Sequence, residues 1–153
     1  MSRVAAIHEA GHAVIAHHFR RPIRGVRLDP GGAGELTCGS IPLLARYRMP
    51  ELLWRRRAVE EAMIAFAGPL AELVACGDYD PSACAIDLES GRRWIRRGAA
   101  DPVAAFRDTI DRLRADWPAV EAVAERLLRA GSLDGRLIAS TIARASARGR
   151  PAA

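Results

Sequence analysis

A chain of 153 residues, half of them hydrophobic, 27% charged and only 5% aromatic, is long enough to bury a core of its own, one dominated by aliphatic residues. Its formal charge is +5, and apart from His every cation is Arg, since the chain contains no Lys. No run of 18 apolar residues offers a membrane span and no segment reads as an export signal; Cys38, Cys76 and Cys84, odd in number and without C-x-x-C spacing, exclude a disulfide framework or a zinc ribbon and point to reduced thiols in a cytoplasmic setting.

The first helix is expected over residues 3–19, ended by Phe19 and Arg20-Arg21-Pro22. It carries His8-Glu9-Ala10-Gly11-His12, an H-E-x-x-H pattern. Positions i and i+4 stack on one helix face, so both imidazoles can converge on one ion, and Zn²⁺ accepts neutral imidazole nitrogen readily. Glu9 lies about 100° round the helix from His8, too far to be an equal ligand. It can still reach a water on the metal and act as its base. The same short pattern also arises by chance, as surface or packing histidines. Two of the chain's four His fall inside it, however, and the flanking Val4 to Ile7 and Ala13 to Ala16 are apolar or small. Such a helix is buried on most sides, where imidazoles without partners are costly. Ala10 and Gly11 keep it slim, leaving room for substrate or a packed neighbour.

Two strands follow, Ile23–Leu28 and Glu35–Ile41, joined by a turn at Asp29-Pro30-Gly31-Gly32, with Gly39 a candidate bulge. This antiparallel unit leaves at least one edge open, and an open edge beside a metal helix can hold a peptide in extended form. Pro50 opens the next helix, whose apolar face runs through Leu52, Val59, Met63, Phe66, Leu70 and Leu73. Gly68-Pro69 inside it predicts a kink or a close helix crossing, and Cys76-Gly77 closes it. A loop at 78–82 leads to a helix from Cys84 to Arg97. Asp101-Pro102 cap another, with Val103, Phe106, Ile110 and Leu113 inward. Pro118 begins a helix carrying Val120, Val123, Ala124, Leu127 and Leu128. Ser132 caps the last, with Leu133, Leu137, Ile138 and Ile142 apolar. The expected fold is mainly α with a small antiparallel β element, one domain over residues 1–147 and a disordered tail at 148–153.

The Arg clusters at 20–21, 55–57, 92–93 and 96–97 could form a stripe for nucleic acid. Aromatics able to stack on bases are nearly absent, Trp54 and Trp94 aside, and acidic residues are interspersed; solvated helix faces are the better reading.

A catalytic zinc needs a third protein ligand and an open fourth position. The spacing His8, His12, His18 matches H-E-x-x-H-x-x-G-x-x-H except that Ile15 stands where Gly must break the helix. On a continuous helix His18 lies about 120° from His12, and His17 is worse placed. Both read as helix-end residues favourable to the dipole. Glu60, Glu61 and Glu72 are candidates from the following helix, each equally able to be a solvent-facing charge; Glu72 is singled out by the tight segment before it. Asp87 is the third option, with first-turn dipole compensation as its plainer role. Spacing alone does not decide between Glu72 and Asp87.

Three segments together resemble the zinc peptidase domain of the FtsH-type ATP-dependent proteases. Residues 4–13, VAAIHEAGHA, are similar to that family's opening helix; Ala67-Gly68-Pro69-Leu70-Ala71-Glu72 to its small-residue segment; and Ser82–Leu88 to its loop-to-helix segment. Pro69 and Ile86 depart from the family's usual residues. Val120–Leu128 and Ser132–Gly135 resemble its closing helices, so the likeness spans about residues 3–146. It implies a helical zincin-like peptidase fold and a Zn²⁺ held by His8, His12 and Asp87, with Glu9 as general base. Glu35, Leu36 and Thr37 would then align the polypeptide substrate, their plainer role being half of a hairpin. No Walker A motif occurs, and no Lys to build one, so a stand-alone peptidase is expected, taking unfolded polypeptide directly or with a separate ATPase; the resemblance leaves a homo-oligomer open. Rivals from other classes are a non-catalytic metal-binding adaptor, which would have no use for Glu9, and an Arg-rich nucleic-acid-binding helical protein. A repressor-cleaving protease of the IrrE type is a variant within the enzyme class.

Overall fold

The computed structural model describes residues 2–29, 31 and 34–148. Helix α1 (Arg3–His18) starts at Ser2, whose side chain accepts from the Ala5 amide. It ends in a left-handed turn: Arg20 has φ 56°, and the Arg21 amide donates back to the Ala16 carbonyl at 2.9 Å. That reversal sends the chain into β1 (Ile23–Leu28), which pairs antiparallel with β2 (Gly34–Cys38) on one side and with β3 (Ser132–Asp134) on the other. The strand order is β2-β1-β3, so β2 is an edge. Val26 sits at the centre, opposite both Leu36 and Leu133.

The rest is helical: a 3₁₀ turn (Leu43–Arg48), then α2 (Glu51–Cys76), α3 (Ala85–Gly98), α4 (Pro102–Ala115), α5 (Trp117–Ala130) and α6 (Gly135–Arg148). The fold is therefore mainly α with a small three-stranded antiparallel sheet. One buried cluster runs through it, from Ala6, Ile15 and Val26 to Trp54, Phe66, Leu70, Leu113, Val123, Leu127 and Ile138. No helix among the described residues is long and apolar enough to cross a membrane.

Helix α2 runs through Pro69 as one element of 26 residues, and the expected close crossing is present. A Cβ on Gly11 would come within 2.6 Å of Ala71 Cβ and 2.7 Å of the Ala67 carbonyl oxygen, so α1 and α2 touch almost backbone to backbone. Only Gly with small partners allows this approach.

Several expectations are corrected. Ser132 does not cap the last helix: it belongs to β3, and Asp134 caps α6 by accepting from the Leu137 amide at 2.8 Å. Three residues show no periodicity; pairing with β1 makes them a strand. Strand β2 begins at Gly34 and stops at Cys38 rather than reaching Ile41, because Gly39 turns off the ladder to donate to the Pro22 carbonyl. Leu52 and Val103 keep the helical spacing but are 81% and 62% exposed, since each lies in a first turn that overhangs the core. Arg148 closes α6 instead of beginning a tail, and residues 149–153 lie outside the described set, as do Pro30, Gly32 and Ala33 of the expected turn.

Glu60 and Glu61 face neither solvent nor the histidines. Both are buried against Arg21, whose Nη2 lies 3.2 Å from Glu60 and whose Nε lies 3.1 Å from Glu61. Glu61 also accepts from the Ser40 hydroxyl at 2.7 Å and the Ile41 amide at 3.3 Å. One carboxylate thus ties both feet of the β1–β2 hairpin to α2. Removing one partner of a buried ion pair leaves the other charge uncompensated. Glu61→Ala is expected to lower unfolding free energy by about 3 kcal/mol, and Glu61→Gln, which keeps an acceptor for Ser40 and Ile41, by clearly less. Urea unfolding of the two variants checks this; equal losses would reject the hairpin anchor.

Candidate metal centre

His8 and His12 leave the α1 face that crosses α2, and Asp87 approaches from the first turn of α3. The two Nε2 atoms lie 3.0 Å apart, and Asp87 Oδ2 lies 3.1 Å from His8 Nε2 and 3.6 Å from His12 Nε2. Ligands about 2.0–2.1 Å from a tetrahedral zinc would be about 3.3 Å from one another, which the three separations bracket.

The far side of each ring decides the chemistry. His12 Nδ1 is 2.7 Å from the Ile64 carbonyl oxygen, which can only accept, so the ring proton sits on Nδ1. His8 Nδ1 is 2.6 Å from Glu72 Oε1, a carboxylate acceptor, with the same consequence. In the neutral rings both Nε2 atoms therefore present lone pairs to one another and to the Asp87 carboxylate. Three acceptors converge with no donor among them, an arrangement that requires a cation. Without metal a proton must serve. Burial lowers the His8 pKa, but hydrogen bonds to Asp87 and Glu72 outweigh it and leave the value raised. Burial likewise disfavours the Asp87 carboxylate, yet His12 and His8 hold its pKa well below the usual range.

Gly68 of α2 lies against this point. A Cβ there would run into Nε2 of both rings, so the absence of a side chain leaves the space where their lone pairs meet. The residues present fit a zinc ion: two imidazoles with fixed tautomers, one carboxylate, and a cradle that a Cβ would fill.

Glu9 is 5% exposed, and its Oε2 has no hydrogen-bond partner among the described residues. Burial pushes its pKa up, with Asp87 and Glu35 adding repulsion and His12 and His8 pulling back. A buried carboxylate oxygen without a partner is costly unless a ligand or water meets it. Gly34, the first residue of β2, sits directly over this carboxyl: a Cβ there would be 2.7 Å from Glu9 Cδ and Oε1. The edge strand thus passes beside Glu9. Glu35 and Thr37 are exposed, whereas Leu36 is half-buried and packs toward the core.

Of the other candidates, Glu72 contacts only the Nδ1 side of His8. A second convergence, His8 Nδ1, Glu72 and Cys84 Sγ, is held by that 2.6 Å contact, too short for two ligands of one ion and right for a hydrogen bond. His18 lies away from the cluster against Arg112. Sequence reasoning missed Gly68 and the Ile64 carbonyl. The first was visible only as a helix interruption, and no side-chain signal marks the second. No family model matches this chain, and no curated protein aligns with it significantly.

Two outcomes follow. If the cluster holds zinc, Gly68→Ala should weaken its binding about 10- to 100-fold in a chelator competition while the far-ultraviolet dichroism stays helical; unchanged affinity would place any bound zinc away from the ring nitrogens. Cys84 is buried beside Glu72 and Asp87, which with desolvation push its thiol up to about 12. Iodoacetamide at pH 8 should therefore label exposed Cys76 at least about 100-fold faster than Cys84, as read by peptide mass spectrometry; comparable rates would contradict the packing of this thiol.

Proposed function

We propose that this chain is a zinc-dependent metallopeptidase of the zincin-like, FtsH-resembling kind, acting on unfolded or extended polypeptide. The observation that carries the reading is the convergence of His8 Nε2, His12 Nε2 and Asp87 Oδ2 within 3.0–3.6 Å, with both Nδ1 protons committed elsewhere. In their neutral forms neither ring has a proton to give the other, so the pair is satisfied by a cation or by protonation of His8.

His8, His12 and Asp87 hold the ion, and Glu72 and the Ile64 carbonyl lock the ring orientations. When bound, Zn²⁺ supplies Lewis-acid polarisation of the scissile carbonyl and lowers the pKa of water toward neutrality. Glu9 takes the proton of the attacking water on its unpartnered Oε2 and returns it to the leaving amine. The free backbone edge of β2, at Glu35, Leu36 and Thr37, aligns the substrate as an added strand beside Glu9. An adaptor role leaves the buried Glu9 unexplained, and Trp54 and Trp94, both buried, are not available to stack on bases.

Metal content of protein purified without added metal, together with hydrolysis of an unfolded casein substrate, tests the reading. About one zinc per chain is expected, lost in His12→Ala and reduced in Asp87→Ala. Glu9→Gln should keep the zinc and lose at least about 100-fold in turnover. A wild type that refuses added zinc would sink the metal centre. A zinc-loaded wild type that leaves casein intact would sink the peptidase.

A further inference from the structure

At the other end of α2 and α3 lies a second concavity that the peptidase reading does not use. It has a volume of about 500 Å³ and is lined by Arg46, Arg55, Arg93, Arg96 and Arg97, with Glu51 as its single acid. Along α2, Arg55 and Gly68 are 13 residues apart, about 20 Å at 1.5 Å per residue, so this cleft is distinct from the metal centre.

The local charge is far from balanced. Glu51 is already taken by Arg55 at 2.8 Å, and Arg96 turns to Glu89 at 3.1 Å. Arg97 stacks on the Trp94 ring, its guanidinium carbon 4.9 Å from the centroid, which keeps the charge and fixes the side chain. Arg96 and Arg97 have a plain reason to be there, since they sit in the last turn of α3 and oppose its dipole. Arg46 sits in the last turn of the 3₁₀ segment and Arg93 in the middle of α3, and neither has an ion-pair partner among the described residues. The N-terminus of α2 opens beside them behind Pro50, with no side-chain cap, so its partial positive charge adds to theirs. Glu51 and Glu89 offset two of the five guanidinium groups, and the other three leave an exposed concavity of net positive charge that favours an anion.

We infer that this cleft is a binding site for a small, multiply charged phosphate anion, of the di- or triphosphate class. Phosphate concentrates charge and acceptor oxygens at one atom, which matches converging guanidinium forks better than carboxylates spaced along a peptide. The volume suits a ligand of that size rather than a folded partner. The exposed Leu44, Tyr47 and Leu52 stand beside Arg46 and Glu51 in sequence, so the same phosphate chemistry can also be met in the headgroups of an anionic lipid surface.

Calorimetric titration of the full chain with inorganic tripolyphosphate tests the site, with Arg46→Ala/Arg93→Ala as the cleft variant. Arg107→Ala/Arg114→Ala, two exposed residues of α4, is the control of equal charge change. Binding is expected to weaken at least tenfold in the cleft variant and to stay within twofold in the control. Parallel arms use orthophosphate, phosphatidylglycerol vesicles and a single-stranded oligonucleotide. Vesicle binding lost in the cleft variant and displaced by tripolyphosphate would support the site and name lipid as its source. No tripolyphosphate binding, or equal losses in both variants, overturns it. So does binding of the oligonucleotide alone, which would make the cleft part of a nucleic-acid surface. Dichroism of both variants guards against misfolding, and none of these residues touches the metal centre.

Discussion

The close crossing of α1 and α2 is the constraint on which the rest depends. Gly11 meets Ala67 and Ala71 with no room for a Cβ, and that contact sets how far apart the two helix axes stand. One turn to either side, the same approach delivers His8 and His12 to Gly68, points His12 Nδ1 at the Ile64 carbonyl and brings Glu72 to His8. A wider crossing would break all these relations together, because each spans the same helix–helix gap. The burial of Phe66 and Leu70 on α2 and of Val14 and Ile15 on α1 holds the pair shut.

Around that crossing the chain places charges where an apolar core would be cheaper. Glu9 is buried with one oxygen unpartnered among the described residues, and the lone pairs of two imidazoles and a carboxylate face one another. Neither arrangement helps a metal-free fold, and both become favourable once a cation and a water are present. The Arg21–Glu60–Glu61 cluster is a contrast: equally buried, its carboxylates are met by Arg21, Arg56 and Arg57, and the hydrogen bonds of Glu61 end on the hairpin it secures. One cluster is structural because opposite charges meet within it. The other has the form of a site because, with its rings neutral, only acceptors meet within it.

The helices were legible because their causes are local. Apolar spacing, Pro at helix starts, Asp101 as a cap and Gly77 as a left-handed stop all act within a few residues. The failures came where another element decides. Strand β3 exists only because β1 offers Val26 and its neighbours as partners, and Leu52 and Val103 are exposed because nothing packs over the first turns they occupy. Glu60 and Glu61 could be read from sequence as solvent charges or ligands. Arg21, some 40 positions away, made them neither.

From sequence alone, helical phase determines that His8 and His12 share a face and that Glu9 lies off it, since a 3.6-residue period needs no tertiary partner. The choice between Glu72 and Asp87 was different. Both carboxylates reach His8, 64 and 79 residues along the chain, and they differ only in which ring nitrogen they meet. That depends on how α3 folds back over α2, a long-range packing outcome with no local signature. Only the tertiary structure sets Glu72 against Nδ1 and Asp87 beside both Nε2 atoms, and with that placement a sequence motif becomes a possible coordination site.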